Sequence, residues 1–347
     1  MATIHDVAQK AGVSTTTVSH VINGTRYVSD QLKEQVQTAM TELNYQPNGL
    51  ARSLRVGRSK TIGLILPDNS NSFFAEISRY VEDFGYQNGY SVILCNTDED
   101  PDKEASYINV LVNKQVEGII FISSSDSSYN LSSLIDLHIP FVIVDRELPG
   151  INVDTVLNDN WLGGTLAANY LLNLGHRQIA CISGASTVLS SKQRVDGFKQ
   201  VLSEAGVEIH SEYFMAGDFH FPSGLACMDR ILELASRASA SERPTAVFVC
   251  NDMMALGAIH SAREHGLHIP DDISIIGFDN INISELVYPK LTTIAQPTQE
   301  LAETAVRLLL HKLKKESTEE LMPNRIYLKP HLVERESCTA PKGNLLT

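Results

Sequence analysis

From Thr61 onward the chain repeats one pattern: a short run of Ile, Val, Leu and Phe, then a helix-length amphipathic stretch, then another run. The runs fall at Thr61–Leu66, Ser91–Leu94, Gly118–Ile122, Phe141–Val144, Gln178–Ile182, Ala246–Val249 and Ile273–Ile276. Apolar strands alternating with helices need cover on both faces, the condition of a parallel sheet with helices above and below. Seven or more such strands fit one large sheet or two smaller ones. The helical stretch Asn160–Leu174, with Gly163-Gly164, lies near the middle and suits a crossover between two lobes. At about 150 residues per domain, 347 residues suggest two or three domains.

The first sixty residues read as short helices instead. Ile4, Val7, Ala8 and Ala11 share one helical face, and Gly12 follows where a C-terminal cap favours positive φ. Ser14 is placed to cap a second helix with Val18, Val21 and Ile22 inward, ended by Asn23-Gly24. Ser29 is placed to cap a third, with Leu32, Val36, Ala39, Met40 and Leu43 inward, stopped by Pro47. A fourth short segment runs from Asn48 through Val56, and Gly57-Arg-Ser-Lys60 reads as a joint.

Charge separates the two parts. The chain has a net charge of −13, which alone speaks against nucleic acid, yet residues 1–60 hold seven Lys and Arg against four acids. A net +3 head on a −16 body suggests that only the head meets a polyanion. Five scattered cysteines (Cys95, Cys181, Cys227, Cys250, Cys338) without C-x-x-C argue against a disulfide framework or zinc ribbon. No apolar run approaches the roughly 18 residues of a membrane span, and the start lacks a signal-peptide pattern. The expectation is a reduced, cytoplasmic protein.

Two helices joined at Gly12-Val13-Ser14 fit a helix-turn-helix whose second helix enters the major groove. Its outer face would carry Thr15, Thr16, Ser19, His20 and Asn23, hydrogen-bonding groups without a carboxylate to repel phosphate. The same spacing fits an ordinary helical hairpin with a polar outer face. Asn48–Val56 makes a helix of about 14 Å, too short to be stable alone, and Gly49 weakens it by about 1 kcal/mol more. Leu50 and Leu54 with Arg52 and Arg55 suit a minor-groove wedge, or equally a linker whose leucines pack on the body.

In open α/β sheets ligands bind beyond the strands' carboxyl ends. The residues there are Asp68-Asn69, Asn71-Ser-Phe-Phe74, Asn96, Ser123–Ser125, Asp145-Arg146, Ser183, Asn251-Asp252 and Asp279-Asn280. Such a set, with two Phe rings, suits a small polyhydroxylated ligand, although each Asp or Asn singly also suits a helix cap. Enzyme signatures are missing: no phosphate-binding P-loop, dinucleotide G-x-G-x-x-G, G-x-S-x-G or H-E-x-x-H occurs. His260, Glu264 and His268 would line one helix face as metal ligands, but Gly266 and Pro270 end the helix between them, which favours a solvated helix end. No catalytic residue, metal or cofactor is expected.

These residues carry a resemblance. Val13-Ser-Thr-Thr-Thr-Val-Ser-His-Val-Ile-Asn23, Leu43-Asn-Tyr-Gln-Pro-Asn48 and Leu50-Ala-Arg-Ser-Leu54 resemble the headpiece of the lactose and galactose repressor family. Cys250-Asn-Asp-Met-Met-Ala-Leu-Gly257, Ser274-Ile-Ile-Gly-Phe-Asp279 and Leu291-Thr-Thr-Ile-Ala-Gln-Pro297 extend it to about Arg335. Among members the chain looks most similar to ribose and purine repressors.

The resemblance implies an all-α headpiece with a hinge helix and an α/β body like the two-lobed periplasmic sugar-binding proteins. The headpiece would span 1–47, hinge and linker 48–60, the effector-binding and dimerisation body 61–340, and a tail 341–347. The N-lobe would take about 61–160 and 292–322, and the C-lobe about 161–291 and 323–340. By resemblance, Thr15, Thr16 and Arg26 read bases, with Ser19, His20 and Asn23 on the same face. Asn48 opens the hinge, Leu54 is its wedge and Arg55 lies beside it. Gly49 departs from the usual Ala or Ser, so hinge folding would be weaker.

The implied effector residues are Asn71, Phe73, Phe74, Asp145, Arg146, Arg194, Phe219 or Phe221, Asn251, Asp279 and Gln296. Ser72 replaces the usual Pro. Purine repressors, as the resemblance goes, share Arg194, Phe219 and Asp279 but not the Asp145-Arg146 pair, which leans the reading to ribose. The expectation is a repressor that binds palindromic operator DNA as a homodimer under control of a small sugar. The alternatives are a purine-responsive or phosphocarrier-dependent member, or, in another class, a sugar-binding protein or α/β enzyme with an incidental helical head. The stretch Glu336–Thr347 shows no heptads, which favours a dimer over a tetramer.

Overall fold

The structure, a computed structural model, describes residues 2–46, 58–122, 131–146, 148, 150–314 and 323–342. It divides into two compact units, Met1–Lys60 and Thr61–Thr347.

In the first unit, α1 (Ile4–Ala11) opens on a reciprocal cap: the Thr3 hydroxyl takes the Asp6 N–H, and the Asp6 carboxylate takes the Thr3 N–H. Gly12 closes it at φ 66°. The Ser14 hydroxyl accepts from the Thr17 N–H to start α2 (Thr15–Asn23), and Gly24 ends it at φ 61°. Ser29 precedes α3 (Asp30–Glu42) but makes no side-chain cap bond, unlike the expectation. Val7, Ala8, Val18, Val36 and Ala39 form the core, with Ile4, Ala11, Val21, Ile22, Met40 and Leu43 packed around it. Leu32 is half-buried and stays outside that cluster.

The second unit begins with β1 (Thr61–Leu66), α4 (Ser72–Gln87), β2 (Ser91–Asn96), α5 (Pro101–Asn113), β3 (Gly118–Phe121), α6 (Ser132–Asp136), β4 (Phe141–Val144) and β5 (Thr155–Asn158). It continues through α7 (Asn160–Asn173), β6 (Ile179–Ser183), α8 (Leu189–Glu204), β7 (Phe214–Ala216), α9 (Phe221–Arg237), β8 (Ala246–Val249), α10 (Asp252–Glu264) and β9 (Ser274–Asp279). β10 (Thr292–Ala295), α11 (Thr298–Lys314), β11 (Arg325–Leu328) and β12 (His331–Val333) complete it. Two six-stranded sheets result, ordered β11-β5-β4-β3-β1-β2 in the N-lobe and β12-β10-β9-β8-β6-β7 in the C-lobe. All described pairings are parallel except β10 with β12.

The lobe boundaries differ from the sequence expectation at two strands. Thr292–Ala295 pairs with β9 (Thr292 beside Ile276) and therefore belongs to the C-lobe, not the N-lobe. Arg325–Leu328 pairs with β5 (Arg325 beside Thr155) and belongs to the N-lobe, not the C-lobe. The chain thus crosses between lobes after β5, after β10 and between β11 and β12. Each crossing follows a completed strand because a strand's backbone groups must first be paired in a sheet.

In the C-lobe, helices meet backbone to backbone. A Cβ at Gly164 on α7 would lie 1.9 Å from the Arg194 carbonyl oxygen on α8, and one at Gly197 would lie 2.1 Å from the Trp161 carbonyl oxygen. Gly224 on α9 and Gly257 on α10 form a second such seam, against the Met254 and Phe221 carbonyl oxygens. The first seam seats Arg194, and the second joins α9 to α10, the helix that Asn251 caps. Gly164→Ala is expected to cost about 1–3 kcal/mol by overpacking, read as a lower urea midpoint; an unchanged midpoint would show that the seam yields freely.

Candidate effector cleft and DNA-facing helix

The strand ends of both lobes face a narrow cleft. Asn71, Phe73, Phe74, Asp145, Arg146, Arg194, Phe219, Asn251 and Asp279 line it, with Asp68, Glu99, Ser190 and His220. Nine of the implied effector residues are therefore brought together. Two are not on the wall. Phe221 starts α9, and its ring lies 5.8 Å from that of His260. Gln296 stands behind the wall, where its Nε2 donates to Asp279 Oδ1 at 2.6 Å.

Arg194 is the buried centre. Its Nε donates to Asn160 Oδ1 at 2.8 Å and its Nη1 to the Cys250 carbonyl at 2.6 Å. Nη1 also faces Asp279 Oδ1 at 3.4 Å, and the guanidinium carbon lies 3.9 Å from the Phe278 ring centroid. Burial pushes the Asp279 carboxyl up to about 7; Arg194 and Gln296 pull it down, while Asp145 and Glu76 add to the rise. Asp252, one of the strand-end candidates, does not reach the cleft. It is buried beneath, accepting from the Thr293 hydroxyl at 2.6 Å and the Ile281 N–H at 3.0 Å. Burial, reinforced by Asp279, holds its carboxyl well above the ordinary range.

Asn71 serves twice: it lines the cleft and caps α4 by accepting from the Phe73 N–H at 3.1 Å. The Phe73 and Phe74 rings meet edge to face at 5.2 Å. Asn251 likewise caps α10 through Met254 N–H while its Nδ2 donates to the Phe219 carbonyl at 2.9 Å. The helix-cap and ligand-site readings thus coexist at these positions. Among the described residues Asp145 Oδ1 is buried without a hydrogen-bond partner, the condition of a group that suits a ligand donor. Glu99, Asp145, Phe219 and Asp279 hold φ of 58°, 68°, 73° and 112°, so backbone strain concentrates on the cleft wall.

Ser190, Glu99 and His220 carry no spacing or motif signal because each reaches the cleft only through tertiary packing, and Asn160, behind the wall, reaches Arg194 rather than the cleft. Asn280 turns away and accepts from Arg335 at 2.6 Å. His260 pairs with Glu264 at 3.4 Å on α10, while His268 lies past the helix end against Asp272. Ser123–Ser125 lie outside the described residues.

On α2, Thr16 is exposed, Thr15 and His20 are half-buried, and Arg26 is exposed just beyond the helix. His20 Nδ1 lies 2.7 Å from the Thr25 hydroxyl. Ser19 departs from expectation: it is 8% exposed, because its side of α2 packs inward beside Val18. It receives Asn23 Nδ2 at its carbonyl (2.7 Å) and hydroxyl (3.2 Å), so it braces Asn23 rather than facing outward. Asn48, Leu54 and Arg55 lie outside the described residues.

Comparison with known proteins places both units. Residues 3–48 match the model of bacterial regulatory proteins of the lacI family, and residues 168–338 match a periplasmic binding protein-like domain. The chain is 44% identical over 335 residues to the HTH-type transcriptional repressor PurR of Mannheimia succiniciproducens, covering 95% of this chain and 98% of that protein. The lac repressor dimer bound to operator and the anti-inducer ONPF superposes with a TM-score of 0.85 at 28% identity, over 98% of this chain and 99% of that one. A LacI-family regulator from Enterococcus faecium with bound ribose gives a TM-score of 0.72 at 32% identity, over 81% of this chain and 100% of that one.

The Asp279 carboxyl generates a pH prediction. Between an ordinary carboxyl's 3.8 and about 7 the folded chain holds a proton that the unfolded chain has lost. Stability from this group is therefore greatest near pH 4 and falls as pH rises to about 7. Urea unfolding at pH 5 and pH 8 should show the wild type losing stability relative to Asp279→Asn. A pH-independent difference between the two would refute the assignment.

Proposed function

The chain belongs to the lacI family of bacterial regulatory proteins, and from that membership we propose that it is a transcriptional repressor that binds palindromic operator DNA as a homodimer, with a purine base as effector. What carries the effector class is the likeness to PurR over 95% of the chain. The cleft suits such a ligand. Phe73, Phe74 and Phe219 supply apolar ring faces for a flat heterocycle, and Asp279, Asn251 and Arg146 supply groups for its polar edge. A second reading, a pentose such as ribose, is favoured by the Asp145-Arg146 pair on the wall. The unpartnered Asp145 Oδ1 suits a sugar hydroxyl, and a ribose-bound relative shares the body's fold.

In this reading the headpiece reads bases with Thr15, Thr16 and Arg26, with His20 and Asn23 alongside. Asn48–Val56 forms the hinge, Leu54 inserting at a minor-groove step and Arg55 meeting phosphate. The effector acts by changing the angle between lobes, and with it the spacing of the two hinges in the dimer. A marginal hinge helix responds to that spacing because little free energy separates its folded and melted states.

Calorimetric titration of the full chain with adenine, guanine, hypoxanthine and D-ribose separates the effector readings. Saturable heat from a base alone supports the first; heat from ribose alone selects the second. Asp279→Ala should weaken the effector about 10- to 100-fold, the loss of a charged hydrogen bond. Leu54→Ala should weaken operator binding at least about tenfold and leave nonspecific DNA binding nearly unchanged. Equal losses on both DNAs would remove the wedge role from Leu54.

A further inference from the structure

We infer that the outer lip of the cleft, Asp68 and Glu99 on the N-lobe and His220 on the C-lobe, selects effectors by their outward edge. It accepts a neutral compound with a hydrogen-bond donor there and rejects one bearing phosphate. The inference deepens the effector reading above and rests on it.

The lip is a built structure on both sides. On the N-lobe, Ser70 fixes the Asp68 carboxylate, its N–H on Oδ1 and its hydroxyl on Oδ2, each at 2.8 Å. On the C-lobe, the His220 N–H donates to Asp218 Oδ1 at 2.9 Å, and the Ser223 hydroxyl donates to the His220 carbonyl at 3.0 Å. Phe219, before it, is held at φ 73° with its carbonyl bound by Asn251 and its ring pressed on Gly184, where a Cβ would meet ring atoms at 2.0 Å. The imidazole is therefore presented from a strained and well-braced segment.

Its tautomer follows from its neighbour. His220 Nδ1 lies 3.0 Å from the Asp218 carbonyl oxygen, which only accepts, so Nδ1 carries the proton and the neutral ring offers Nε2 as an acceptor. Across the cleft, Nε2 stands 3.7 Å from Asp68 Oδ2. Two acceptors at that separation do not bond each other. An amino or hydroxyl group of an effector can donate to one or both. Phosphate meets the opposite situation. Asp68 and Asp218 carboxylate oxygens stand 3.7 and 3.4 Å from the His220 ring nitrogens and Glu99 lines the same cleft, while the cleft's cations, Arg146 and Arg194, are buried at 6% and 4% exposure. An anion at the lip would face carboxylates before it reached a guanidinium.

The test is calorimetry on the full chain with adenine, guanine, hypoxanthine and D-ribose, and with adenosine, guanosine and inosine monophosphates and ribose 5-phosphate as their phosphorylated partners. The wild type should bind a free compound and give no detectable binding to its phosphorylated partner. His220→Ala and Asp68→Asn should each weaken the free compound about tenfold, with thermal unfolding confirming that both variants remain folded. Asp68→Asn combined with Glu99→Gln should let the phosphorylated partner bind measurably. Variants within twofold of wild type, or equal wild-type affinity for the phosphorylated partner, overturn this inference alone. A wild type that binds none of the eight overturns the effector reading with it.

Discussion

A guanidinium buried at 4% exposure must have its charge met from several directions at once, and Arg194 imposes that demand on the whole C-lobe. Its partners come from separate parts of the chain: Asn160 at the start of α7, the Cys250 carbonyl after β8, Asp279 at the end of β9, and the Phe278 ring. Bringing them together requires α7 and α8 to approach as closely as Gly164 and Gly197 allow. Removing the cation while keeping Asp279 would leave a buried carboxyl without its counter-charge. The cleft floor is thus shaped by a single charge and the glycines that let it in.

Around that floor the fold trades backbone comfort for placement. Asp145, Phe219 and Asp279 adopt positive φ, and each turns a side chain onto the cleft wall. Non-glycine residues hold such angles at a cost of about 1–3 kcal/mol each, so the surrounding sheets must be firm. They are: β4, β8 and β9 are buried along their whole length. Rigid strands carry the strain and their ends present the chemistry.

The parts of this design that the sequence discloses are those with a linear signal. β1, β4 and β8 read correctly because a strand buried on both faces is a continuous apolar run. β10, with Thr292 and Thr293, and β11, exposed at Arg325 and Tyr327, lack that signal, so the second and third lobe crossings differ from the expectation while the first, near residue 160, agrees. Among the site residues, Arg194 and Asp279 followed from family motifs. Phe219 and Phe221 were indistinguishable by resemblance, and only the turn at Phe219 decides that its ring faces the cleft while Phe221 joins a helix. Asn160 and His220 carry no pattern at all; their roles arise from contacts 34 residues apart and from a span between lobes.

The three passages of the chain between lobes have a mechanical meaning. One connection would behave as a swivel and two as a strap; three strands fastened at separate points leave little freedom beyond rotation about their common line. Opening and closing then become one coordinate, an angle, rather than a diffuse set of motions. In the proposed repressor, an effector that touches both walls would be reported outward as a value of that angle. On that reading the body would work as a gauge with one needle, and residues on its walls would decide which ligand moves it.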